Sequence, residues 1–220
     1  VRAVTAVRDL ATFRRFLALV ASRHGQVLNK TEFAAPLGVS VPTIGQWLGV
    51  LETTAQILIV PPYYENLGKR LIKSPKVYLA DSGLACHLLG IDTAAELAKS
   101  PFLGTLFEGF IAAEIIKTQV HAGRRPELYY FRYEQGLEVD YLIPEKNGGV
   151  SLVECKAGRT VTPAMAATML RLAAAWRQKR APSAAIRLSL VHQAPKTPPP
   201  TRAVAPGVQA WAWQDFLQQL

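Results

Sequence analysis

Three strand-like segments follow one another in the second half of the chain, and their order constrains the fold more than any other feature. Each is short and rich in apolar, β-branched or aromatic residues. Turn sequences separate them, with Gly136 in the first turn and Gly148 in the second. The predicted strands are residues 128–132, 138–143 and 150–156. Such short connections predict that the three strands are neighbours in one sheet.

Helical segments lie on both sides of these strands. An amphipathic helix is predicted at residues 107–117, after a loop at Gly104. The segments that follow the three strands are a helix at 164–180, a strand at 186–191, a short strand at 208–211 and a closing helix up to Leu220. The order of helix, three strands, helix and strand predicts an α/β fold of the mixed α+β kind, in which helices flank a mixed sheet.

The first half of the chain has the pattern of a helix-turn-helix. After a helix at residues 10–22, Thr31 with Glu32 behind it can cap a short helix that Gly38 ends. A second helix is predicted at residues 41–51, where an early proline is tolerated. Two short helices joined by a glycine-containing turn resemble a helix-turn-helix.

A predicted hairpin follows these helices and completes the pattern of a winged helix. Its strands are residues 57–60 and 77–79, separated by a polar, basic loop. On nucleic acid, the second helix would enter a groove and the loop would contact the backbone. The candidate groove contacts are Ser40, Thr43 and Gln46, and the candidate phosphate contacts are Lys69, Arg70, Lys73 and Lys76. Because the second helix contains no Arg or Lys, a packing or partner-binding role is the alternative.

Length and charge bear on organisation and partners. The 220 residues are enough for two domains, predicted as the winged helix at 1–92 and the mixed-sheet domain at 93–220. The formal net charge of +9 favours a polyanionic partner, with DNA as the leading candidate and simple solubility as the alternative. The first domain contains ten basic and six acidic residues, and the second contains fifteen basic and ten acidic residues. Neither domain is therefore an isolated basic tail.

Several classes of protein are disfavoured by what the sequence lacks. Its apolar stretches are interrupted too often to span a bilayer, and its first residues do not form a secretory signal, so we expect a cytoplasmic protein without membrane contact. Cys86 and Cys155 have no histidines at metal-ligand spacing. Around Gly68-Lys69 the glycine and hydroxyl residues of a phosphate-binding loop are missing, so no ATPase motif is found. The helical pattern begins so close to Val1 that we expect a segment of a longer protein.

Two side chains with complementary chemistry share one face of the third predicted strand. Alternation places Glu154 and Lys156 on the same side. If Asp140 on the neighbouring strand also faces that side, two carboxylates converge at distances suited to Mg²⁺ or Mn²⁺. A metal there would activate water for phosphodiester hydrolysis, while Lys156 would neutralise or orient the phosphate. Glu108, on the preceding helix, could complete the metal shell.

These residues resemble the PD-(D/E)XK nuclease superfamily through Val139-Asp140, Glu154-Cys155-Lys156 and the helical Glu108. Val139 stands where that superfamily often has a proline. Longer strings are similar to the C-terminal region of bacterial and archaeal AAA-type ATPases, namely residues 71–78, 81–85, 107–110 and 138–140. The resemblance implies a winged helix before a restriction-endonuclease-like domain, Asp140, Glu154, Lys156 and Glu108 as site residues, and an ATPase domain that this chain does not contain.

Two functions stay open at this point. The first is a metal-dependent nuclease that acts on DNA, in which the four residues take part in the reaction. However, a glutamate and a lysine two positions apart on a strand are also a common charge pair on protein surfaces. The alternative is therefore a non-catalytic DNA- or protein-interaction module with a degenerate nuclease fold.

Overall fold

The computed structural model describes residues 9–63, 73–133, 137–145, 148–178, 185–194 and 201–220. It divides into two compact units, each made of two segments. The first consists of Val1–Val60 and Ser74–Ala113, and the second of Pro61–Lys73 and Glu114–Leu220. The domains expected at 1–92 and 93–220 are a simple division along the chain, whereas the compact units interleave, so those domain bounds stay a prediction.

Three helices open the first unit, and a polar side chain caps the start of each. They are α1 (Leu10–Ser22), α2 (Lys30–Leu37) and α3 (Val41–Thr53). Asp9 caps α1, Asn29 caps α2 and Ser40 caps α3, each accepting hydrogen bonds from backbone amides of the first turn. The prediction that Thr31 caps α2 is wrong. The cap is Asn29, whose side chain accepts a hydrogen bond from the Thr31 amide at 3.1 Å. Gly38 ends α2 with a φ of 66°.

A small antiparallel sheet packs with these helices. Its strands are β1 (Gln26–Val27), β2 (Ile57–Val60) and β3 (Lys76–Leu79), with β3 in the centre. The predicted pair at 57–60 and 77–79 is confirmed, since β2 and β3 are hydrogen-bonded neighbours. Phe16 from α1, Trp47 from α3 and Val77 from β3 belong to one buried apolar cluster. Burial of this cluster holds the helices to the sheet.

Three more helices follow β3. They are α4 (Ser82–Leu88), α5 (Ala94–Lys99) and α6 (Leu103–His121). The helix predicted at 107–117 is longer at both ends in α6, so Gly104 lies in its first turn rather than in a loop. Residues up to Ala113 belong to the first unit and later residues of α6 to the second.

A buried histidine links β3 and α6 inside the first unit. His24 is 1% exposed, and its Nδ1 accepts a hydrogen bond from the Leu79 amide at 3.1 Å, so the proton of the neutral ring lies on Nε2. A Cβ atom added at Gly109 would lie 2.2 Å from Nε2. Only glycine allows this approach of α6 to the ring. Burial lowers the pKa of His24 to about 4, although the nearby Thr105 backbone acts in the opposite direction.

We expect Gly109→Ala to destabilise the protein by about 2 kcal/mol, because the added methyl overlaps the buried imidazole. Urea unfolding monitored by circular dichroism measures the change. Gly104→Ala is the matched control in the same helix, since nothing lies within 4 Å of its Cβ position, and it should be neutral or stabilising by up to about 1 kcal/mol. Equal stability of the two variants would contradict the close packing at Gly109.

We expect the free energy of unfolding to fall by about 2 kcal/mol as the pH drops from 7.5 to 5, because His24 titrates differently in the folded and unfolded states. The folded protein holds this pKa at about 4 and the unfolded chain near 6.5. The unfolded state therefore binds the extra proton first, and stability is complete above pH 6.5 and is lost as the pH falls toward 4. His24→Gln keeps an acceptor without titrating, so the difference between its pH profile and that of the wild type isolates this histidine. Parallel profiles would contradict the prediction.

The second unit contains a six-stranded mixed sheet. Its strands are β4 (Tyr129–Arg132), β5 (Glu138–Pro144), β6 (Val150–Lys156), β7 (Ile186–His192), β8 (Ala203–Ala205) and β9 (Val208–Ala212), in the order β4-β5-β6-β7-β9-β8. The pairs β4–β5, β5–β6 and β8–β9 are antiparallel, whereas β6–β7 and β7–β9 are parallel. The three predicted consecutive strands are thus sheet neighbours. β6 has an antiparallel neighbour on one side and a parallel neighbour on the other.

The connection from β6 to β7 carries a helix, as parallel neighbours require a crossover. It consists of a 3-10 helix, Pro163–Ala166, and α7 (Ala167–Arg177). Met169 and Trp176 of α7 belong to one apolar cluster with Leu152 of β6 and with Leu188 and Leu190 of β7. This cluster covers one face of the sheet. The last helix is α8 (Trp213–Leu217).

The predicted class, an α/β fold of the mixed α+β kind, is confirmed by the six-stranded mixed sheet, the smaller sheet and their helices. Within the described part of the chain, no single helix is long and apolar enough to cross a membrane. The helices α2 and α3 reach that apolarity only together, across a bend of 110°.

Candidate functional site

The candidate site lies at the ends of β5 and β6. The backbone pairing of these strands runs from Pro144↔Val150 to Tyr141↔Val153. At Asp140 a side chain connects the two strands, because the Asp140 Oδ2 accepts a hydrogen bond from the Cys155 amide at 2.8 Å. This bond holds the Asp140 carboxylate against the β6 backbone, at the residue between Glu154 and Lys156.

Glu154 and Lys156 form a close ion pair on β6. The Lys156 Nζ donates to Glu154 Oε1 at 2.7 Å, so the two side chains share a face as alternation predicts. The Glu154 side chain is 11% exposed and that of Lys156 is 33% exposed, which makes the site reachable from the lysine side.

The charges around Lys156 connect the three residues. Burial by itself would lower the pKa of Lys156, but the hydrogen bond and charge of Glu154 outweigh it, and the charge of Asp140 adds to the effect, so the pKa lies above its usual value. Lys156 is therefore a cation close to two carboxylates. The structure brings Asp140, Glu154 and Lys156 together as the sequence predicts.

The donor atoms are of the kind that Mg²⁺ or Mn²⁺ takes, since Mg²⁺ is usually held by one or two carboxylates together with water. Asp140 and Glu154 supply two carboxylates around the Cys155 backbone. Among the described residues, no group of three or more His, Cys, Asp or Glu side chains is placed to hold a metal ion. Asp140 and Glu154 are the residues that would hold such an ion together with water, and its binding stays a prediction.

Glu108 has partners of its own in the first unit. Its carboxylate accepts from Lys76 Nζ at 2.9 Å and from the Tyr78 hydroxyl. The side chains of Lys76 and Glu108 are only 4% and 13% exposed. This buried pair joins β3 to α6. A place for Glu108 in a metal shell stays a prediction.

Lys76 does not fit the predicted role of a phosphate contact. Its amine is buried in the ion pair with Glu108, where a phosphate would have to displace a carboxylate. Lys73 is exposed at the start of the segment that leads into β3. The other two basic candidates of the predicted wing, Lys69 and Arg70, lie outside the described residues.

The candidate groove contacts lie at the start of α3. Ser40 and Thr43 are hydrogen-bonded to each other by their hydroxyl groups at 2.8 Å, and Ser40 also accepts from the Thr43 amide. Both are therefore part of the helix cap, and Ser40 is exposed. Gln46 follows on the same helix. Their contact with a nucleic acid stays a prediction.

One residue near the site was missed from the sequence. His192 is the last residue of β7 and is 4% exposed. It is the backbone partner of Lys156 in the β6–β7 pairing. The predicted strand stopped at residue 191. The sequence contains one signal for His192, because it is a polar residue at the next inward position of an apolar strand.

The chain matches two domains of unknown function. Residues 1–95 match the family described as "Domain of unknown function (DUF8612)", and residues 103–195 match "Domain of unknown function (DUF4143)". The second match contains Asp140, Glu154, Lys156 and His192.

Two mycobacterial relatives are also similar to the chain. These uncharacterised proteins, from Mycobacterium bovis and Mycobacterium tuberculosis, are each 36% identical to it over 160 residues. The match covers 72% of this chain and 34% of each relative, so it spans about a third of their length. No solved structure matches the chain at a significant level.

We expect the two ways of removing the Asp140 charge to differ in stability. Asp140→Asn keeps an oxygen that can accept from the Cys155 amide, whereas Asp140→Ala leaves that amide without its side-chain acceptor. Asp140→Ala should therefore be less stable than Asp140→Asn by about 1–2 kcal/mol in urea unfolding. The same two substitutions at the exposed Asp215 of α8 are the control and should differ by less than about 0.5 kcal/mol. If the two Asp140 variants differ in stability by no more than the two Asp215 variants, the hydrogen bond from the Cys155 amide to Asp140 does not stabilise the fold measurably.

Proposed function

We propose that the second unit is a magnesium-dependent phosphodiesterase of the PD-(D/E)XK type that acts on DNA. The observation that carries this proposal is the arrangement at the end of β6. Lys156 lies 2.7 Å from Glu154, and Asp140 is hydrogen-bonded to the amide between them. Two carboxylates and one amine at the end of a strand are the groups that metal-assisted phosphodiester hydrolysis uses.

Each side chain would have a distinct part in the reaction. Asp140 and Glu154 would hold Mg²⁺ or Mn²⁺. When bound, the ion would lower the pKa of a water ligand and stabilise the charge that develops on the phosphate. Lys156 carries a positive charge at neutral pH, so it would neutralise the phosphate or orient it rather than accept a proton. Its partial exposure leaves the amine accessible to a substrate.

The first unit would supply the DNA-binding part of the protein as a winged helix. Support comes from the order of its elements, in which α2 and α3 are joined by Gly38 and followed by the β2–β3 hairpin. Ser40, Thr43 and Gln46 at the start of α3 would lie in a groove. The formal net charge of +9 favours a polyanion. Lys69, Arg70 and Lys73 are the candidate phosphate contacts that this proposal keeps.

The longer relatives suggest a setting for both units. Because the chain spans about a third of the mycobacterial proteins, the remainder of such proteins could hold an ATPase domain, as the resemblance to AAA-type ATPases implies. We propose that these two units act with such a domain or with a partner protein in the cytoplasm.

A second candidate function is a non-catalytic DNA- or protein-interaction module. The observation in its favour is that the site residues already have structural partners. Lys156 neutralises Glu154, and Asp140 completes the hydrogen bonding of β6. Ion pairs of this kind stabilise a strand end without any turnover.

Cleavage assays with supercoiled and linear DNA test the first candidate. We expect nicking with Mg²⁺ or Mn²⁺ and none with EDTA, and a loss of at least about 100-fold in Asp140→Asn and Lys156→Ala, because each removes a charge from the reacting centre. Lys117→Ala and Asp215→Asn are the controls, since both remove a surface ion-pair partner. They should cleave at the wild-type rate.

Gel shifts over a salt series, with and without Mg²⁺, separate the candidates. Salt-sensitive binding without cleavage would support the interaction module and overturn the nuclease. No DNA affinity even at low salt would leave a protein-interaction role. Equal residual cleavage in the wild type and in Asp140→Asn would show that the activity comes from a contaminant.

A further inference from the structure

A histidine stands on the face of the sheet that carries the candidate site. Leu188 and Leu190 of β7 point into the apolar cluster beneath α7, and alternation places His192 next on that face. On β6, the corresponding series is Leu152, Glu154 and Lys156. β6 changes from apolar to polar at Glu154, which is paired with Leu190, and β7 changes one step later, at His192, which is paired with Lys156. Because paired residues of parallel strands point to the same face, His192 lies beside Lys156.

The imidazole is held in one orientation. Its Nδ1 lies 2.6 Å from the carbonyl oxygen of Gln193. A carbonyl only accepts, so Nδ1 carries the proton and donates it, and Nε2 of the neutral ring is an acceptor. The amide of Gln193 in turn donates to the Gly158 carbonyl at 3.2 Å, which ties the segment after β7 to the segment after β6.

The chemistry of Nε2 restricts what it can bind. A phosphate diester oxygen has no hydrogen to donate, so a neutral Nε2 does not hold it. One N–H of the Lys156 ammonium donates to Glu154, and the hydrogen bond that the described residues show for the His192 ring is made by Nδ1. A water molecule is a donor that suits this position, because it can hydrogen-bond to Nε2 and to neighbouring polar groups at once. Burial to 4% exposure favours a single ordered water over bulk solvent.

We infer that His192 is a positioning residue of the proposed nuclease site, and that its Nε2 accepts a hydrogen bond from the water that attacks the phosphate. This rests on the proposed function. Lys156 then orients the phosphate from β6, and His192 orients the water from β7. The covalent step is that of simple hydrolysis: the water oxygen forms the new bond to phosphorus, the bond from phosphorus to the bridging oxygen breaks, the water loses a proton to solvent, and the leaving oxygen takes up a proton from solvent.

The kinetic test compares two substitutions at this position with the wild type. His192→Phe fills the space without an acceptor, and we expect kcat for DNA cleavage to fall by about 10- to 100-fold with KM and DNA affinity unchanged. His192→Gln places an amide oxygen near the position of Nε2 and should retain activity within about 3-fold. His121→Phe, on the exposed end of α6, is the control and should match the wild type.

A second measurement does not depend on turnover. Long-range proton–nitrogen spectra report the imidazole tautomer, and His192 should have its proton on Nδ1. Adding DNA to the Asp140→Asn variant should then shift the Nε2 resonance. A proton on Nε2, or a resonance that DNA does not move, would overturn the inference.

The outcomes separate this inference from the proposed function. A wild-type chain that cleaves no DNA overturns both. Cleavage by the wild type with an unchanged kcat in His192→Phe overturns only the role of His192. A fall in kcat that His192→Gln does not restore shows that shape rather than the acceptor matters. Thermal melting of both variants identifies a loss of fold, in which case the tautomer spectra decide.

Discussion

The pairing of β6 on both of its edges is the constraint on which the second unit depends. β5 runs antiparallel on one side and β7 runs parallel on the other, so the register of β6 is set twice. A slip by one residue on either side would turn Glu154 and Lys156 to the opposite face and expose Leu152. The apolar cluster beneath α7 thus fixes the position of the polar residues that follow it along the strand.

Burial also explains why the ionic groups at this strand end stay together. A carboxylate as enclosed as Glu154 is costly unless it is paired, and Lys156 supplies the opposite charge at 2.7 Å. Asp140 is held differently, by a backbone amide of the neighbouring strand. The pair and the amide bond keep both carboxylates at one strand end.

In the first unit, the pairing of buried charges also accounts for residues that form part of recognisable sequence strings. The strings at 71–78 and 107–110 resemble a known family, and their chemical residues meet in the fold. Lys76 and Tyr78 of β3 contact Glu108 of α6, while Gly109 lets α6 approach His24. The net contribution of a buried ion pair to stability is small, but removal of one partner is strongly destabilising because it leaves the other charge buried and unpaired. Lys76, Tyr78, Glu108 and Gly109 therefore have a structural explanation within the first unit, independent of any chemistry assigned to Glu108.

The sequence by itself determined the local elements and the pair on β6. Strand alternation needs only the order of residues, so β6 and the shared face of Glu154 and Lys156 were predictable, as were α1 and the β2–β3 pair. Tertiary structure decided the rest. The cap of α2, the buried state of Lys76, the partners of Glu108 and the place of His192 beside Lys156 all depend on contacts between residues far apart in sequence. No local period encodes such contacts, because they form only when separate elements pack and water is excluded between them.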